Sequence, residues 1–214
     1  MKVINSFSVA ATFALTALSA APAMAEFEIG LYGGVQTAPH STVENSVLGD
    51  EFVKWKGKSF AMPPYYGIRA TWWRNEAWGW GLEVNHAKVY ADDPASHGYD
   101  RLEFTDGHNI VTANVWRRWQ NDTRWTPYVG AGLGVAIPHV DVQPAGEAHT
   151  YGYQVTGPAV QLVAGASYQL NERWAVFGEY KGTYSSNKAD LDSGGTLKTD
   201  IVTSALNIGV SMKF

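Results

Sequence analysis

The chain has 214 residues, no cysteine and a net charge of −4. These features exclude a disulfide framework, thiolate chemistry and the basic footprint of a nucleic-acid-binding protein. Charged residues make up only 17% of the chain and aromatic residues reach 13%, a mixture typical of a membrane β-barrel with aromatic girdles.

The first 25 residues predict a cleaved secretory signal peptide. Lys2 is the only charge before Glu26, an apolar run follows it, and Ala23-Met24-Ala25 forms a small-x-small cleavage site. The run is too short and too rich in alanine for a transmembrane helix. We therefore predict a signal peptide over 1–25 and one domain over 26–214.

Eight later segments alternate apolar and polar residues with a period of two, which indicates β-strands that face lipid on one side. In the clearest segment, Val129, Ala131, Leu133 and Val135 alternate with glycine and alanine. In chain order the predicted strands are about 26–36, 64–73, 78–90, 102–119, 126–138, 154–170, 174–184 and 198–214.

The connections between these segments alternate in length. Three are short and polar, near 74–77, 120–125 and 171–173, and four are long, near 37–63, 91–101, 139–153 and 185–197. Outer-membrane barrels combine short periplasmic turns with long extracellular loops in this way. Eight of the nine Trp, all but Trp55, lie near the short turns, as expected for an aromatic belt at the inner interface.

These features predict an all-β fold, an eight-stranded antiparallel transmembrane barrel of the outer membrane with long extracellular loops. The last segment ends at Phe214 and resembles the C-terminal strand that the barrel assembly machinery recognises. We expect a monomer. A soluble eight-stranded barrel of the lipocalin type is the alternative.

An eight-stranded barrel is filled by side chains and is not a pore. Opposite charges inside it are expected to pair, because an isolated buried charge is costly. The predicted inward residues are Arg69, Glu83, Asn85, Thr112, Asn114, Gln161, Glu179, Lys181 and Asn207.

All six histidines fall on the outer side of this barrel, together with several carboxylates. Such a rim could hold a divalent cation or carry out general acid–base catalysis by a His that a carboxylate orients. Ser41 or Ser59 beside a His could act as a nucleophile, although neither lies in a nucleophile signature. The alternative is an ordinary polar rim that contacts lipopolysaccharide and its bridging cations.

Five stretches resemble the outer-membrane lipid A oxidase family of alphaproteobacteria. They are "GGVQTAPHS" (33–41), "PPYYGIRATWW" (63–73), "NHAKVYADD" (85–93), "RLEFTDGHNIVTAN" (101–114) and "TPYVGAGLGVAIPHVDV" (126–142). Members of the family are small barrels implicated in oxidising the proximal glucosamine of lipid A to 2-aminogluconate with molecular oxygen. The resemblance implies that this chain acts on lipid A in the outer leaflet.

The resemblance directs attention to particular rim residues. His86 or His139 is the predicted base, oriented by Asp92 or Asp141, and Glu103 and Asp106 complete the predicted catalytic set. A redox or divalent metal held by His40, His86 and His139 would mediate electron transfer to oxygen, and there is no flavin or nicotinamide fingerprint. The predicted substrate-binding residues are Tyr65, Tyr66, Arg69 and Lys88.

Two other functions fit the same barrel. One is a non-catalytic OmpX-like or OmpW-like barrel for envelope integrity, surface contact or small-solute passage. The other is a lipid A acyl hydrolase built on a Ser–His pair.

Overall fold

The computed structural model describes residues 26–214, which form thirteen β-strands and one short 3₁₀ helix. The predicted signal peptide lies outside these residues. No helix within 26–214 is long and apolar enough to cross a membrane. The elements are β1 (Glu26–Thr37), β2 (Ser41–Asn45), β3 (Gly49–Val53), β4 (Trp55–Lys56), β5 (Tyr66–Trp73), β6 (Trp78–Ala91), the 3₁₀ helix (Pro94–His97), β7 (Tyr99–Arg118), β8 (Trp125–Ala136), β9 (His139–Pro144), β10 (Thr150–Tyr153), β11 (Gly157–Gln169), β12 (Trp174–Asp190) and β13 (Thr196–Lys213).

Eight of these strands close into an antiparallel ring, in the order β1, β5, β6, β7, β8, β11, β12 and β13, with β13 pairing back to β1. The ring confirms the predicted eight-stranded barrel. Closure leaves no unpaired backbone edge, as a lipid environment requires. The short turns all lie at one end of the ring, called here the inner end, and the long connections lie at the outer end.

The outward-facing positions of the ring form an apolar band. On β6 the band runs from Trp78 to Val84, and on β7 it begins at Val111. Trp72 and Trp80 stack at 4.5 Å between ring centroids near the inner turns, which agrees with the predicted aromatic belt. Other exposed apolar side chains of the band are Leu31, Ile68, Leu133, Leu162, Leu206 and Ile208.

Paired charges fill the middle of the barrel. Arg69 donates to Glu83 at 2.9 Å and to both carboxylate oxygens of Glu179 at 2.9–3.1 Å. Lys181 pairs with Glu83, and Tyr128 donates to Glu179 at 2.7 Å. All nine residues predicted to face inward are buried. The network contains two cations and two carboxylates, so it carries no net charge.

The long connections at the outer end are themselves partly β-strand. Five short strands pair there: β2 extends the sheet beside β13, β3 pairs with β2, β4 with β6, β9 with β7, and β10 with β9. Alternation within these runs sends apolar side chains inward, where they form a second core above the band. Its larger members are Val43, Val53, Trp55, Val89, Tyr99, Leu102, Phe104, Val140, Val142, Leu197 and Ile201.

Candidate functional site

A row of four neighbouring residues lies at the outer edge of the apolar band. Tyr66 pairs across strands with His86, His86 pairs with Asn109, and the backbone N–H of Ile137 donates to the Asn109 carbonyl at 2.7 Å. His86 and Asn109 follow the band's outward positions on β6 and β7, so they lie on the lipid-facing wall and not in the lumen. The row forms part of an open groove lined by Pro63, Tyr66, His86, Asp106, Asn109, Ile137 and Tyr153.

The His86 ring is covered although its position faces outward. It is 3% exposed and stacks on Tyr66 with ring centroids 5.1 Å apart. Asn109 donates from Nδ2 to the Ile137 carbonyl at 3.3 Å, which turns its Oδ1 toward His86 Nδ1 at 2.8 Å. An amide oxygen only accepts, so Nδ1 carries the proton in the neutral ring and Nε2 keeps its lone pair.

The surroundings of Nε2 determine what this nitrogen could bind. His86 Nε2 is buried and lacks a well-formed hydrogen bond within residues 26–214. The Pro63 backbone, which can only accept a hydrogen bond, also interacts with the ring and would compete for a proton on Nε2. A buried polar atom without a partner is uncommon and is expected to bind a donor group. A hydroxyl that entered the groove could donate to Nε2, which would then act as a general base.

Gly107 provides the space that the His86 ring occupies. Its φ of +105° is a conformation that residues with a side chain rarely adopt. A Cβ at this position would lie 2.1 Å from His86 Cε1 and 2.2 Å from Nδ1. The position of the ring therefore depends on a glycine one strand away.

A second histidine cluster adjoins the groove through Asp106. His139 Nε2 lies 3.9 Å from Asp106 Oδ2, and the ring packs edge-on against Tyr151 and Tyr153 at 4.3 and 4.7 Å. The Tyr153 hydroxyl donates to the Asp106 carbonyl at 3.4 Å. Asp106 is thus, within residues 26–214, the predicted carboxylate that lies at ion-pair distance from a predicted base.

The predicted partnerships of Asp141 and Asp92 are wrong. Asp141 accepts from His149 at 2.6 Å and from Arg101 at 3.3 Å, so it orients His149 and not His139. Asp92 lies beyond the strand end, where its contact with Lys56, and then that with Lys54, lowers the carboxyl pKa. Neither carboxylate contacts His86.

Glu103 belongs to the part of β7 that rises above the apolar band. Arg101 donates to it at 3.0 Å. Partial burial, followed by repulsion from the neighbouring Asp141 carboxylate, raises the pKa of Glu103. Arg101 bridges these two carboxylates outside the groove.

The predicted three-histidine metal site does not form. His40 stacks on Phe52 with ring centroids 5.4 Å apart. His86 packs against Tyr66, and His139 packs against Tyr151 and Tyr153. Within the described part of the chain, no group of three or more His, Asp or Glu side chains is arranged to hold a metal ion. The residues proposed as ligands therefore do not fit one ion.

Three of the four predicted substrate-binding residues are enclosed. Arg69 belongs to the interior ion network, and Tyr65 lies inside the barrel with its ring 6.3 Å from that of Tyr32. Lys88 is fully buried at the outer end. Only Tyr66, which is 40% exposed, faces the groove from outside.

The serine nucleophile prediction also fails on geometry. Ser41 Oγ accepts from Trp55 Nε1 at 2.7 Å, and Ser59 Oγ accepts from the backbone N–H of Gln36 at 2.8 Å. The Ser–His contact that does occur joins Ser185 Oγ and His108 Nε2 at 2.7 Å. Both residues are fully buried in the barrel interior, where no lipid ester can reach them.

Sequence reasoning missed Asn109, Gly107 and Tyr153. Asn109 and Gly107 lie inside the quoted stretch "RLEFTDGHNIVTAN", but their roles depend on the pairing of β7 with β6. Tyr153 lies beyond the stretches that resemble the oxidase family and carries no motif. Cross-strand register, which a single sequence does not specify, brings all three to the groove.

Comparison with known families matches residues 9–214 to the outer membrane protein beta-barrel domain. A search of curated proteins gives no significant match. Among solved structures, Neisserial surface protein A is 16% identical, with a TM-score of 0.53 over 89% of this chain and 97% of that chain.

Two further solved structures are similar. The N-terminal β-barrel domain of Pseudomonas aeruginosa OprF is 15% identical, with a TM-score of 0.49 over 88% of this chain and 97% of that chain. Outer membrane protein AlkL is 15% identical, with a TM-score of 0.48 over 89% and 90%. At 16% identity, the structure of Neisserial surface protein A indicates the fold alone.

Proposed function

Because the chain belongs to the outer membrane protein beta-barrel domain family, we propose that it works within the outer membrane on lipid A, through the groove beside His86. The specific activity proposed is oxygen-dependent oxidation of the proximal glucosamine to 2-aminogluconate. Residues 1–25 would direct export and residues 26–214 would carry the activity, with lipopolysaccharide and the assembly machinery as partners.

One observation carries this proposal. Four of the five stretches that resemble the lipid A oxidase family contribute side chains to the same groove, although they come from different strands. The groove lies just above the apolar band, at the level of lipid head groups in the outer leaflet. A lipid-borne sugar could therefore reach His86 laterally without entering the barrel.

The groove supports the proton transfer in such a reaction. His86 Nε2 would accept the proton of the sugar C1 hydroxyl, while Asn109 holds the imidazole in the required tautomer. Dioxygen would be the terminal acceptor of the two electrons from C1, and the C1 proton together with the proton passed on from His86 would complete hydrogen peroxide, leaving a lactone. Water then opens the lactone, so the product gains one oxygen atom. A redox mediator would have to bind from outside residues 26–214, because no cluster of His and carboxylate side chains there could hold a metal ion.

A second function has its own support. The ion network of Arg69, Glu83, Glu179 and Lys181 crosses the middle of the lumen, and the outer core closes the end above it. Both features favour a closed structural barrel and oppose small-solute passage. A non-catalytic barrel that contacts the lipid A head group at the groove is the alternative.

Mass spectrometry of lipid A separates the two functions. Lipid A would be extracted from aerated cells that carry the wild-type protein, His86→Gln, His40→Gln or no protein. We expect one added oxygen atom with the wild type and with His40→Gln, because His40 stacks on Phe52 outside the groove. We expect no added oxygen with His86→Gln.

Folding and membrane insertion of each variant would be checked by heat-dependent gel mobility. If lipid A has the same mass with and without a folded wild-type protein, the oxidation proposal is wrong and the non-catalytic alternative stands. If His86→Gln keeps full activity, the proposed base is wrong.

A further inference from the structure

Arg117 occupies a lipid-facing position at the inner end of the barrel. It lies on β7, two residues beyond the exposed Val115, and pairs across strands with Trp78. Its guanidinium carbon lies 5.1 Å from the ring centroid of Trp78 and 5.5 Å from that of Trp119. Both distances are within the range of a cation–π contact, so two indole rings hold the cation at the interface.

Among residues 26–214, this cation has no counter-ion. A guanidinium stays charged at all physiological pH values, and no carboxylate within residues 26–214 lies at ion-pair distance from Arg117. The next residue, Arg118, faces inward and pairs with Glu26 at 2.8 Å. A charge at the edge of the hydrocarbon region is costly without an anion, so Arg117 favours an anionic ligand from the membrane.

An apolar groove begins at this cation and runs up the lipid-facing wall. Arg117, Trp78 and Trp119 line one end, and apolar side chains of β8, β11 and β12 continue it. The groove has a volume of about 780 Å³. Small residues line the bottom of the groove and leave it open. At Gly182, an added Cβ would have no atom within 4 Å.

We propose that this surface binds an inner-leaflet phospholipid, with its phosphodiester on Arg117 and one acyl chain along the groove. The geometry suits an amphiphile because a fixed cation lies at one end of an otherwise apolar track. Guanidinium and phosphate form paired, charge-assisted hydrogen bonds. The site lies at the opposite end of the barrel from His86 and is independent of the function proposed there.

Native mass spectrometry of the detergent-solubilised full chain tests this site. The protein would be incubated with phosphatidylglycerol or with diacylglycerol of the same acyl chains, and the bound lipid counted. We expect retention of phosphatidylglycerol by the wild type and at least a tenfold loss with Arg117→Gln. Arg173→Gln is the matched control, because it removes the same charge from an exposed turn at the same end.

Two further variants separate the head group from the acyl chain. Arg117→Lys keeps the charge but loses the planar fork, so we expect intermediate retention. Gly182→Leu places a side chain in the groove, so it should weaken retention of phosphatidylglycerol without changing the contacts of Arg117 with Trp78 and Trp119. The proposal is overturned if Arg117→Gln retains as much lipid as Arg173→Gln, or if diacylglycerol is retained as well as phosphatidylglycerol, which would indicate apolar adhesion only.

Discussion

Removal of Arg69 tests the interior ion network. Arg69→Met keeps most of the side-chain volume but deletes one hydrogen bond to Glu83 and three to Glu179, all at 2.9–3.1 Å. Two buried carboxylates would then share the single ammonium of Lys181. Breaking a buried ion pair on one side costs about 3–5 kcal/mol, and we expect a loss of that size in the free energy of unfolding.

The double variant Arg69→Met/Glu179→Gln supplies the internal check. It restores one carboxylate against one ammonium, and the Gln amide keeps an oxygen that can accept from Tyr128. Its loss should therefore be smaller than the sum of the two single losses, with a coupling energy of about 1–3 kcal/mol.

The assay is urea unfolding in lipid vesicles, followed by Trp fluorescence and by heat-dependent gel mobility. Arg173→Met at an exposed turn should change stability by less than about 0.5 kcal/mol. The reasoning would be refuted if Arg69→Met lost less than about 1 kcal/mol, or if the two single losses were strictly additive.

Three other predictions concern the groove and the outer end. Gly107→Ala should displace the His86 ring and abolish lipid A modification while the barrel still folds; full activity would contradict the clearance argument. Leu102→Ala should cost about 2–5 kcal/mol because Leu102 is buried in the outer core, whereas Leu133→Ala, 72% exposed to lipid, should cost far less; equal losses in vesicle unfolding would contradict the second core. Because the pKa of Glu103 is raised, its ionisation destabilises the fold as pH rises through that pKa; Glu103→Gln should therefore be more stable than the wild type at neutral pH, with the difference shrinking on acidification.

The ring of strands could be predicted because the alternation of apolar and polar residues and the lengths of the connections can both be read directly from the sequence. Val129, Leu133 and Val135 face lipid as their spacing predicts, and Arg69 pairs with carboxylates from distant strands as burial demands. The outer strands could not be predicted, because runs as short as "STVEN" and "GDEFV" alternate too briefly to distinguish strand from loop. Their pairing depends on a shared core that only the folded molecule assembles.

The candidate site was only partly predictable for a related reason. Asp92 is six residues beyond His86 on a rising strand, and at about 3.3 Å per residue the two are some 20 Å apart along the chain. Proximity in sequence therefore suggested Asp92 as the partner of His86, although the extended strand separates the two side chains. The true partner, Asn109, is adjacent only because β7 pairs with β6 in one register.

We propose that His86 presents an unprotonated Nε2 to a lipid A sugar at the outer edge of the membrane. The most direct measurement is the ¹⁵N chemical shift of His86 in phospholipid nanodiscs, before and after lipid A is added. We predict a neutral ring protonated at Nδ1 without lipid A, and a hydrogen-bonded Nε2 with it, while the shift of His108 in the interior stays constant. A ring protonated at Nε2 at the start, or one that does not respond to lipid A, would contradict the claim.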